Sequence, residues 1–284
     1  MGDPCGPDSE VFYDFGEELH DESVWGKAHP ANDSGRFMEI GNQVFMQYKR
    51  TEEGFEPLPK QNVDFGGGLE RIAAAKIDSP DVFKISILWP IIQKLEDLSR
   101  KKYTEHTEDM RVIADHLRGA MFLAVDGCVP SNKEQGYVMR RLMRRAILKA
   151  FNLGIEQNFV QEIAPVIAEL YRNDFPEVLE QEALVIEILV KEEKVFKQTL
   201  RKGLREFEKR SDDGITGQEI FTLYDTFGFP AELSVEEAQK RDIELSKDWQ
   251  LEFDTKMKEQ RERSQTATKG TFKGGLGGQT DQHK

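Results

Sequence analysis

Cysteine and long apolar runs are both scarce in this sequence. Only Cys5 and Cys128 occur among 284 residues, whereas secreted domains held together by disulfides carry more cysteines in shorter chains. The longest apolar stretch, residues 85–92, is interrupted by Ser86 and Pro90 and falls well short of the ~20 residues that a membrane-spanning helix needs. The first ten residues lack the basic and apolar regions of a signal peptide. We therefore expect a reduced, cytoplasmic protein that does not enter a membrane.

Positive charge is also in short supply. The chain has 39 Lys and Arg residues against 52 Asp and Glu residues, for a formal net charge of -13. This excess of negative charge argues against non-specific DNA binding by the molecule as a whole, although a local basic patch can still contact phosphates over about a Debye length. With 38% hydrophobic residues the chain can form real cores, and its length predicts about two domains.

Histidine is too sparse and too scattered to indicate a metal site. The five histidines show no ligand spacing with each other or with either cysteine. We therefore predict no zinc in this chain, and we interpret Cys5 as a loop residue rather than a nucleophile. The histidines are His20, His29, His106, His116 and His283.

The residue pattern changes from β-type to helical at about residue 80. Residues 43–48 and 62–64 predict strand, and the glycine and prolines of residues 53–60 predict a loop. The helix at 179–210 fits either a packed domain helix or a solvated arm, and residues 269–284 are typical of a linker. Apolar residues at three- and four-residue steps predict a helix over residues 111–124. Further helices are predicted over residues 72–77, 136–152, 179–210 and 247–268.

Residues 63–71, VDFGGGLER, predict a phosphate site. The glycines lie between a strand-like pair and a helix-like IAAA run, so they let the backbone approach a ligand beside the free N–H groups of a helix N-terminus. Arg71 can bind phosphate oxygens in a bidentate manner, and the Asp64 carboxylate can bind an amine. The glycines alone fit equally well a β-to-α turn with an exposed Glu70–Arg71 ion pair. The segment matches neither the Walker loop nor the GxGxxG pattern.

The predicted helix at 136–152 carries a cluster of basic residues in an acidic chain. Spacings of three and four place Arg141, Arg144 and Arg145 largely on one face, as a contact with an RNA backbone requires. The same pattern also fits a solvated face whose cations pair with acidic helices. The basic residues are Arg140, Arg141, Arg144, Arg145 and Lys149.

Five blocks of sequence resemble one known family. Gly-x-Gly-Leu-Glu-Arg after a strand resembles motif 3 of the class II aminoacyl-tRNA synthetases. Four further blocks resemble the alanyl-tRNA synthetases and follow one another in the order of that family. They are PCGPDSEVFYDFG (4–16), NQVFMQYKR…EPLPK (42–60), RVIADHLRGAMFLAVDGCVPSN…GYVMRRLMRRA (111–146) and LYDTFGFP (223–230).

The resemblance implies an α+β architecture with three parts. Residues 1–98 correspond to the C-terminal part of an antiparallel-sheet catalytic domain, residues 99–245 to a mainly α-helical tRNA-recognition domain, and residues 246–284 to a helix and linker toward an editing domain. The implied reaction is ATP-dependent activation of alanine and its transfer to the 3′ end of tRNA(Ala). ATP and Mg²⁺ would enter as a substrate complex, and the acceptor stem of the tRNA would be the partner.

The resemblance also implies roles in the catalytic part. The motif 3 arginine of the family binds the phosphate tail of ATP, which implies that role for Arg71. Gly66 and Gly68 would let the nucleotide lie against the strand. The aspartate before the motif holds the alanine ammonium group, which implies that role for Asp64.

Two further residues are assigned to the alanine pocket by the resemblance. The asparagine ahead of VFMQY lies at this pocket in the family, which implies that role for Asn42, and Val44 would shape the pocket wall. By itself, Asn42 also fits an exposed loop amide.

In the helical part the resemblance implies recognition of the acceptor stem. Asn132 and Asp225 would approach its identifying G·U pair from opposite grooves, with Asp225 accepting from an amino group of a base. The arginines implied to contact the stem are Arg140, Arg141, Arg144 and Arg145.

The resemblance is partial. Motifs 1 and 2 of the class have no counterpart, and the sequence stops about where the metal-binding segment of the editing domain would begin. Arg36 and Glu39 resemble the Arg-x-x-Glu of motif 2, but a similar run directly precedes the NxVFMQ strand in the family, so we do not assign them to motif 2. We expect a partial chain that is inactive alone, and a full-length protein that self-associates through regions missing from this sequence. The alternative is a paralogue that binds the acceptor stem without activating alanine.

Overall fold

The computed structural model describes residues 2–271, apart from the side chains of residue 261 and residues 263–271. An antiparallel sheet is formed by the first 67 residues, with one short α-helix between its strands, and the other α-helices follow it. The α+β class expected from the sequence is therefore confirmed. Most of the predicted linker, and His283, lie outside the described residues.

The sheet is built around one long strand. Strand β3 (Phe37–Thr51) pairs on one side with β1 (Pro4–Cys5) and β2 (Asp8–Asp14), and on the other side with β4 (Gly54–Gly67). All pairings are antiparallel. Within the described residues β4 pairs only with β3, so it forms an edge of the sheet.

The predicted loop at residues 53–60 is wrong. Residues 54–60 form the first half of β4, and only a tight turn at residues 52–53 separates it from β3. Gly54, with φ 134°, begins the strand in a conformation that favours glycine. Pro57 pairs opposite Tyr48. A proline is tolerated there because an edge strand has one side that makes no ladder hydrogen bonds.

The helices account for most of the remaining chain. Those in the first hundred residues are α1 (Glu22–Trp25), α2 (Leu69–Lys76) and α3 (Trp89–Ser99). Three-residue 3₁₀ turns lie at Glu17–Leu19, Val82–Lys84 and Tyr103–Glu105. The later helices are α4 (Thr107–Val125), α5 (Glu134–Asn152), α6 (Val160–Tyr171), α7 (Pro176–Glu180), α8 (Glu182–Arg210), α9 (Gly217–Phe227), α10 (Ala231–Lys240) and α11 (Trp249–Thr271).

The predicted helices are largely confirmed, with one division. The predictions at 72–77, 111–124, 136–152 and 247–268 correspond to α2, α4, α5 and α11, whereas the helix at 179–210 is divided at Gln181 between α7 and α8. No glycine or proline stands at this division to reveal it in the sequence. Helix α8 buries Val185, Leu189, Phe196 and Phe207, which confirms the packed helix over the solvated arm.

One continuous hydrophobic core connects the helices. It runs from Ala74 of α2 to Ala238 of α10, and the sheet adds only the partly buried Met38 to its border. Val63 and Phe65 of β4 are 60% and 61% exposed, so the sheet is open to solvent. None of the helices within residues 2–271 is both long and apolar enough to cross a membrane.

Candidate functional site

The register of β3 and β4 brings four of the predicted site residues together. Asn42 lies opposite Gly66, and Val44 lies opposite Asp64. Directly opposed residues in antiparallel strands point to the same face, and alternate residues along a strand share that face. The four residues therefore form a two-by-two cluster on one face of the sheet.

Gly66 leaves room within this cluster. A Cβ atom built at Gly66 would meet no atom within 4 Å, so the space above this position is open. On the opposite face, the ring of Phe65 fills the space over Gly41 and Gly67, because it lies 3.1 Å from the position that a Cβ on either glycine would take. The open face is therefore the one on which a ligand can lie against the strands.

Strand β2 contributes two carboxylates to the same face. Glu10 lies opposite Asn42, and Asp8 lies opposite Val44. With Asp64, three acidic residues thus surround the asparagine and the valine, and their charge suits an ammonium group. Both carboxylates belong to the block at 4–16 that resembles the family, but no pattern in that block singles out Asp8 or Glu10 as site residues. Their place at the site depends on the strand register, which no local pattern gives.

The glycines end at the beginning of α2. The backbone N–H of Gly68 donates to the carbonyl oxygen of Ile40 at 3.2 Å, and the N–H of Ile72 donates to the carbonyl oxygen of Gly68 at 2.8 Å. A Cβ at Gly68 would lie 3.0 Å from Cδ of Arg71. The missing side chain at Gly68 therefore allows the stem of Arg71 to lie across the helix N-terminus.

Arg71 is held by Glu39. Its Nη1 donates to the carbonyl oxygen of Glu39 at 3.2 Å and lies 3.4 Å from a carboxylate oxygen of the same residue. The Arg71 side chain is 52% exposed, so its other N–H groups face solvent. Arg36 is engaged elsewhere, because it makes a bidentate pair with Asp14 at 2.7–2.8 Å. Glu39 therefore lies at the glycine-rich segment, whereas Arg36, the other residue of the Arg-x-x-Glu pattern, pairs with Asp14.

The Glu70–Arg71 ion pair considered from the sequence does not form. Glu70 instead pairs with Arg118 of α4, which also donates to the hydroxyl of Tyr171 at 3.3 Å. These contacts connect α2 to α4 and α6. Beside them lies a cleft of about 450 Å³ lined in part by Leu69, Phe122 and Tyr171.

The loop that carries Asn132 is tightly fixed to α5. Ser131 accepts from the backbone N–H of Lys133 at 3.2 Å and donates to the carbonyl oxygen of Gly136 through its N–H at 3.0 Å. A Cβ at Gly136 would lie 2.3 Å from Oγ of Ser131 and 2.5 Å from the carbonyl oxygen of Val129. Only glycine permits this approach, and it leaves Asn132 exposed at the beginning of α5.

Asp225 is exposed near the end of α9. An electrostatic interaction with Tyr224, the residue before Asp225, contributes to the pKa shifts of Tyr137 and Arg140 in α5. Tyr137 donates to a carboxylate oxygen of Glu232 in α10 at 2.8 Å. Burial, followed by this contact, raises the pKa of Tyr137. Asp225 itself accepts a hydrogen bond from the side-chain amide of Gln260 in α11.

The basic residues of α5 fall into two groups. Arg144 donates to Glu192 at 2.8 Å, Arg145 pairs with Glu236 at 2.9 Å, and Lys149 pairs with Glu108 at 2.6 Å. Arg140 and Arg141 have no ion pair within the described residues. Arg144, Arg145 and Lys149 therefore form the ion pairs with acidic helices that were one of the two interpretations of the sequence.

Three of these arginines border one cleft. Arg141, Arg144 and Arg145 line a space of about 300 Å³ between α5 and α10, as their spacing in the sequence indicated. Burial, followed by the charge of Arg144, lowers the pKa of Arg140. Arg140 is therefore a half-buried cation next to another cation, an arrangement that a phosphate would relieve.

No group of three or more His, Cys, Asp or Glu side chains within the described part of the chain is arranged to hold a metal ion. Cys5 and Cys128 are both free thiols.

Comparison with known proteins places these features in a family. The family described as tRNA synthetases class II (A) matches residues 1–281. An alanine–tRNA ligase of Lactobacillus johnsonii is 40% identical over 277 residues, which cover 93% of this chain and 31% of the relative. The alanine–tRNA ligases of Pediococcus pentosaceus and Halalkalibacterium halodurans are both 38% identical, over 276 and 275 residues, with the same coverage. The chain thus spans about 31% of the length of these relatives. Because the family match covers nearly all of its residues, the chain belongs to the tRNA synthetases of class II (A).

Proposed function

We propose that this chain is part of an alanine–tRNA ligase, and that it contributes one wall of the alanine and ATP site together with the region that binds the acceptor stem. The observation that carries the proposal is the strand register that sets Asn42 opposite Gly66 and Val44 opposite Asp64. We take alanine as the amino acid substrate because the similar proteins are named alanine–tRNA ligases.

The acidic face supports alanine binding. The Asp64 carboxylate would hold the ammonium group, and Asp8 and Glu10 opposite it would add to the negative potential. Asn42 would donate to the alanine carboxylate, and Val44 would contact the methyl side chain. A small apolar pocket discriminates weakly, because one methylene is worth only ~1–3 kcal/mol.

The beginning of α2 supports ATP binding. Gly66 and Gly68 give the nucleotide access to the strand and to the free N–H groups of the first helical turn. Arg71 keeps exposed N–H donors for the terminal phosphate. ATP would arrive as its Mg²⁺ complex, and the Glu39 carboxylate beside Arg71 is an oxygen donor of the kind that Mg²⁺ prefers.

The reaction needs no protein nucleophile. An oxygen of the alanine carboxylate attacks the α-phosphorus of ATP, and pyrophosphate leaves with the bonding electrons. A hydroxyl of the terminal adenosine of the tRNA then attacks the acyl carbon, and AMP leaves. The residues of the chain act by orienting the reactants and by stabilising charge, with Asp64 and Arg71 at the two ends of the site.

The helical part supports acceptor-stem binding. Asn132 and Asp225 are exposed and would contact the G·U pair, while Arg140 and Arg141 would contact phosphates with their free donors. Arg144 and Arg145 would have to leave Glu192 and Glu236 to do the same.

The division into parts and the setting of the protein are also proposals. Residues 1–98 would be catalytic, residues 99–245 would recognise tRNA, and residues 246–284 would lead toward an editing domain. Self-association would use other regions of a longer protein, and tRNA charging would place the protein in the cytoplasm.

A chimera tests the proposal. The chain is joined to the segment of the Lactobacillus johnsonii relative that carries motifs 1 and 2, and alanine-dependent ATP–pyrophosphate exchange is measured. We expect exchange in the chimera and little in the chain alone. Asp64→Asn should raise the KM for alanine at least tenfold, whereas Glu56→Gln, farther along β4 opposite Lys49, should not.

The result that overturns the proposal is an Asp64→Asn chimera with an unchanged KM for alanine. A folded chimera without exchange whose helical part still binds an acceptor-stem minihelix would favour the paralogue that binds tRNA without activating alanine.

A further inference from the structure

Helix α11 lies along α9 and is anchored at the helix beginnings. The backbone N–H of Gly217 donates to the carboxylate of Glu252 at 2.7 Å. A Cβ at Gly217 would lie 1.9 Å from the carbonyl oxygen of Trp249, so the backbones approach as closely as glycine allows. This end of the contact therefore permits no shift of one helix along the other.

An aromatic contact fixes the middle of the same pair. The ring of Phe253 lies 6.2 Å from the ring of Phe221 and 5.9 Å from the ring of Tyr224, in edge-to-face arrangements. Phe253 therefore sets the rotation of α11 about its axis. One residue of that helix face, two turns further on, is Gln260.

Gln260 donates its side-chain amide N–H to Oδ1 of Asp225. Asp225 is exposed, so without this contact its carboxylate would sample several rotamers in water. The bond uses one carboxylate oxygen and leaves Oδ2 free as an acceptor. It also leaves the negative charge of Asp225 in place, which a cationic partner would offset.

We propose that Gln260 is a positioning residue that orients Asp225 for recognition of a base amino group. This inference rests on the proposed function, because it takes Asp225 to contact the acceptor stem. Gln260 does not contact the base. It acts by fixing which oxygen of Asp225 faces the RNA. The two residues are 35 positions apart in the sequence and are brought together by the packing of α11 on α9.

Two minihelices test the inference with the full chain. One carries a G·U pair and the other a G·C pair at the same position of the acceptor stem, and the dissociation constant of each is measured by fluorescence anisotropy. Gln260→Glu keeps the size of the side chain but replaces the donor by an acceptor. Gln260→Ala removes the contact. Gln250→Ala changes an exposed glutamine on α11 whose side chain makes no hydrogen bond to the described part of the chain, and serves as the matched control.

We expect both Gln260 variants to reduce the preference for the G·U helix about tenfold, the effect of one hydrogen bond, while the affinity for the G·C helix stays constant. Equal losses of affinity for the two minihelices would indicate a purely structural role of Gln260 and would overturn the inference. An unchanged preference in both variants, with Asp225→Asn abolishing it, would also overturn it while leaving the proposed function intact. If the wild-type chain shows no preference, or Asp225→Asn keeps it, the proposed role of Asp225 fails and the inference fails with it.

Discussion

Nη1 of Arg71 lies 3.2 Å from the carbonyl oxygen of Glu39 and 3.4 Å from its carboxylate, so the arginine of the glycine-rich segment is held against the beginning of β3. The contact leaves the other N–H groups of Arg71 exposed. A guanidinium held by one nitrogen and free at the others is oriented for a bidentate contact with phosphate oxygens.

Replacement of Arg71 by lysine should therefore weaken the use of ATP. Lysine keeps the charge but cannot bind Glu39 and a phosphate at once through a planar fork. In the chimera with motifs 1 and 2, we expect Arg71→Lys to lower kcat/KM for ATP about tenfold or more in pyrophosphate exchange. Arg50→Lys, on the exposed end of β3, is the control. Equal losses in both variants would exclude a specific role for Arg71.

The two groups of cations in α5 predict two different phenotypes. Replacing both Arg140 and Arg141 by glutamine should weaken minihelix binding and reduce the slope of log K against log salt by about two, since each phosphate contact contributes about one. The melting temperature should change little. Binding at several salt concentrations measures the slope.

Arg144→Gln provides the contrast. Arg144 pairs with Glu192 and lies over the ring of Phe196 at 5.0 Å, so it connects α5 to α8. We expect this variant to melt at a lower temperature while its salt slope stays that of the wild type. A loss of salt slope in Arg144→Gln without a loss of stability would show that Arg144 leaves Glu192 to bind RNA.

The strand–glycine–helix order of the site can be predicted from the sequence, because each of its parts has a local cause. Glycines and the apolar period of α2 lie within a few residues of one another, and the helix was predicted directly after the glycines. The register of β3 and β4 could not be predicted from the sequence. The prolines of residues 53–60 indicate a loop unless it is known that β4 is an edge strand.

The partners of the charged residues were also out of reach. Arg144 and Glu192 lie 48 residues apart in the sequence, and Asp225 and Gln260 lie 35 apart. A helical period predicts which face of α5 carries cations, but it does not predict which helix packs against that face. Only the tertiary structure therefore shows which cations of α5 form ion pairs and which remain available for contact with RNA.

Glu193 should be essential to the stability of the helical part. It is fully buried in α8, accepts from the backbone N–H groups of Phe159 and Val160 at the beginning of α6, and pairs with Lys197 at 2.9 Å. Removing it leaves the buried N–H donors of Phe159 and Val160 unpaired and takes away the carboxylate partner of Lys197. We expect Glu193→Ala to lower the free energy of unfolding by ~3 kcal/mol in urea titrations.

The exposed Glu187 of the same helix makes no such contacts, so Glu187→Ala is the matched control and should change stability by less than ~0.5 kcal/mol. Similar effects of the two substitutions would contradict the capping role of Glu193.

Tyr103 should titrate late. Its hydroxyl donates to Asp81 at 2.7 Å and accepts from Arg111 at 2.7 Å. Burial above all, together with Asp81 and against the effect of Arg111, raises the pKa of Tyr103 to about 12 from its usual 10.0. Because the folded-state pKa is the higher one, the stabilisation is complete below pH 10 and is lost as the pH rises from 10 toward 12.

Absorbance of the phenolate measures this titration. Subtracting the titration curve of Tyr103→Phe from that of the wild type isolates the component that is missing from the variant. The missing component should have its midpoint near pH 12. The wild-type protein should also lose more stability than Tyr103→Phe over the same interval. A component that titrates near pH 10 would contradict the burial of the hydroxyl between Asp81 and Arg111.

Two glycines in neighbouring helices should respond oppositely to alanine. At Gly136 a Cβ would meet Oγ of Ser131 at 2.3 Å and the carbonyl oxygen of Val129 at 2.5 Å, whereas at Gly119 of α4 the nearest atom would be Cδ1 of Leu142 at 3.7 Å. Alanine favours a helix interior over glycine by ~0.5–1 kcal/mol. Gly119→Ala should therefore raise the melting temperature slightly and leave minihelix binding unchanged. Gly136→Ala should displace the Asn132 loop, because the clash with backbone exceeds this gain, and should weaken binding of the G·U minihelix. If Gly136→Ala bound that minihelix as well as Gly119→Ala does, the fixed loop would not be what presents Asn132.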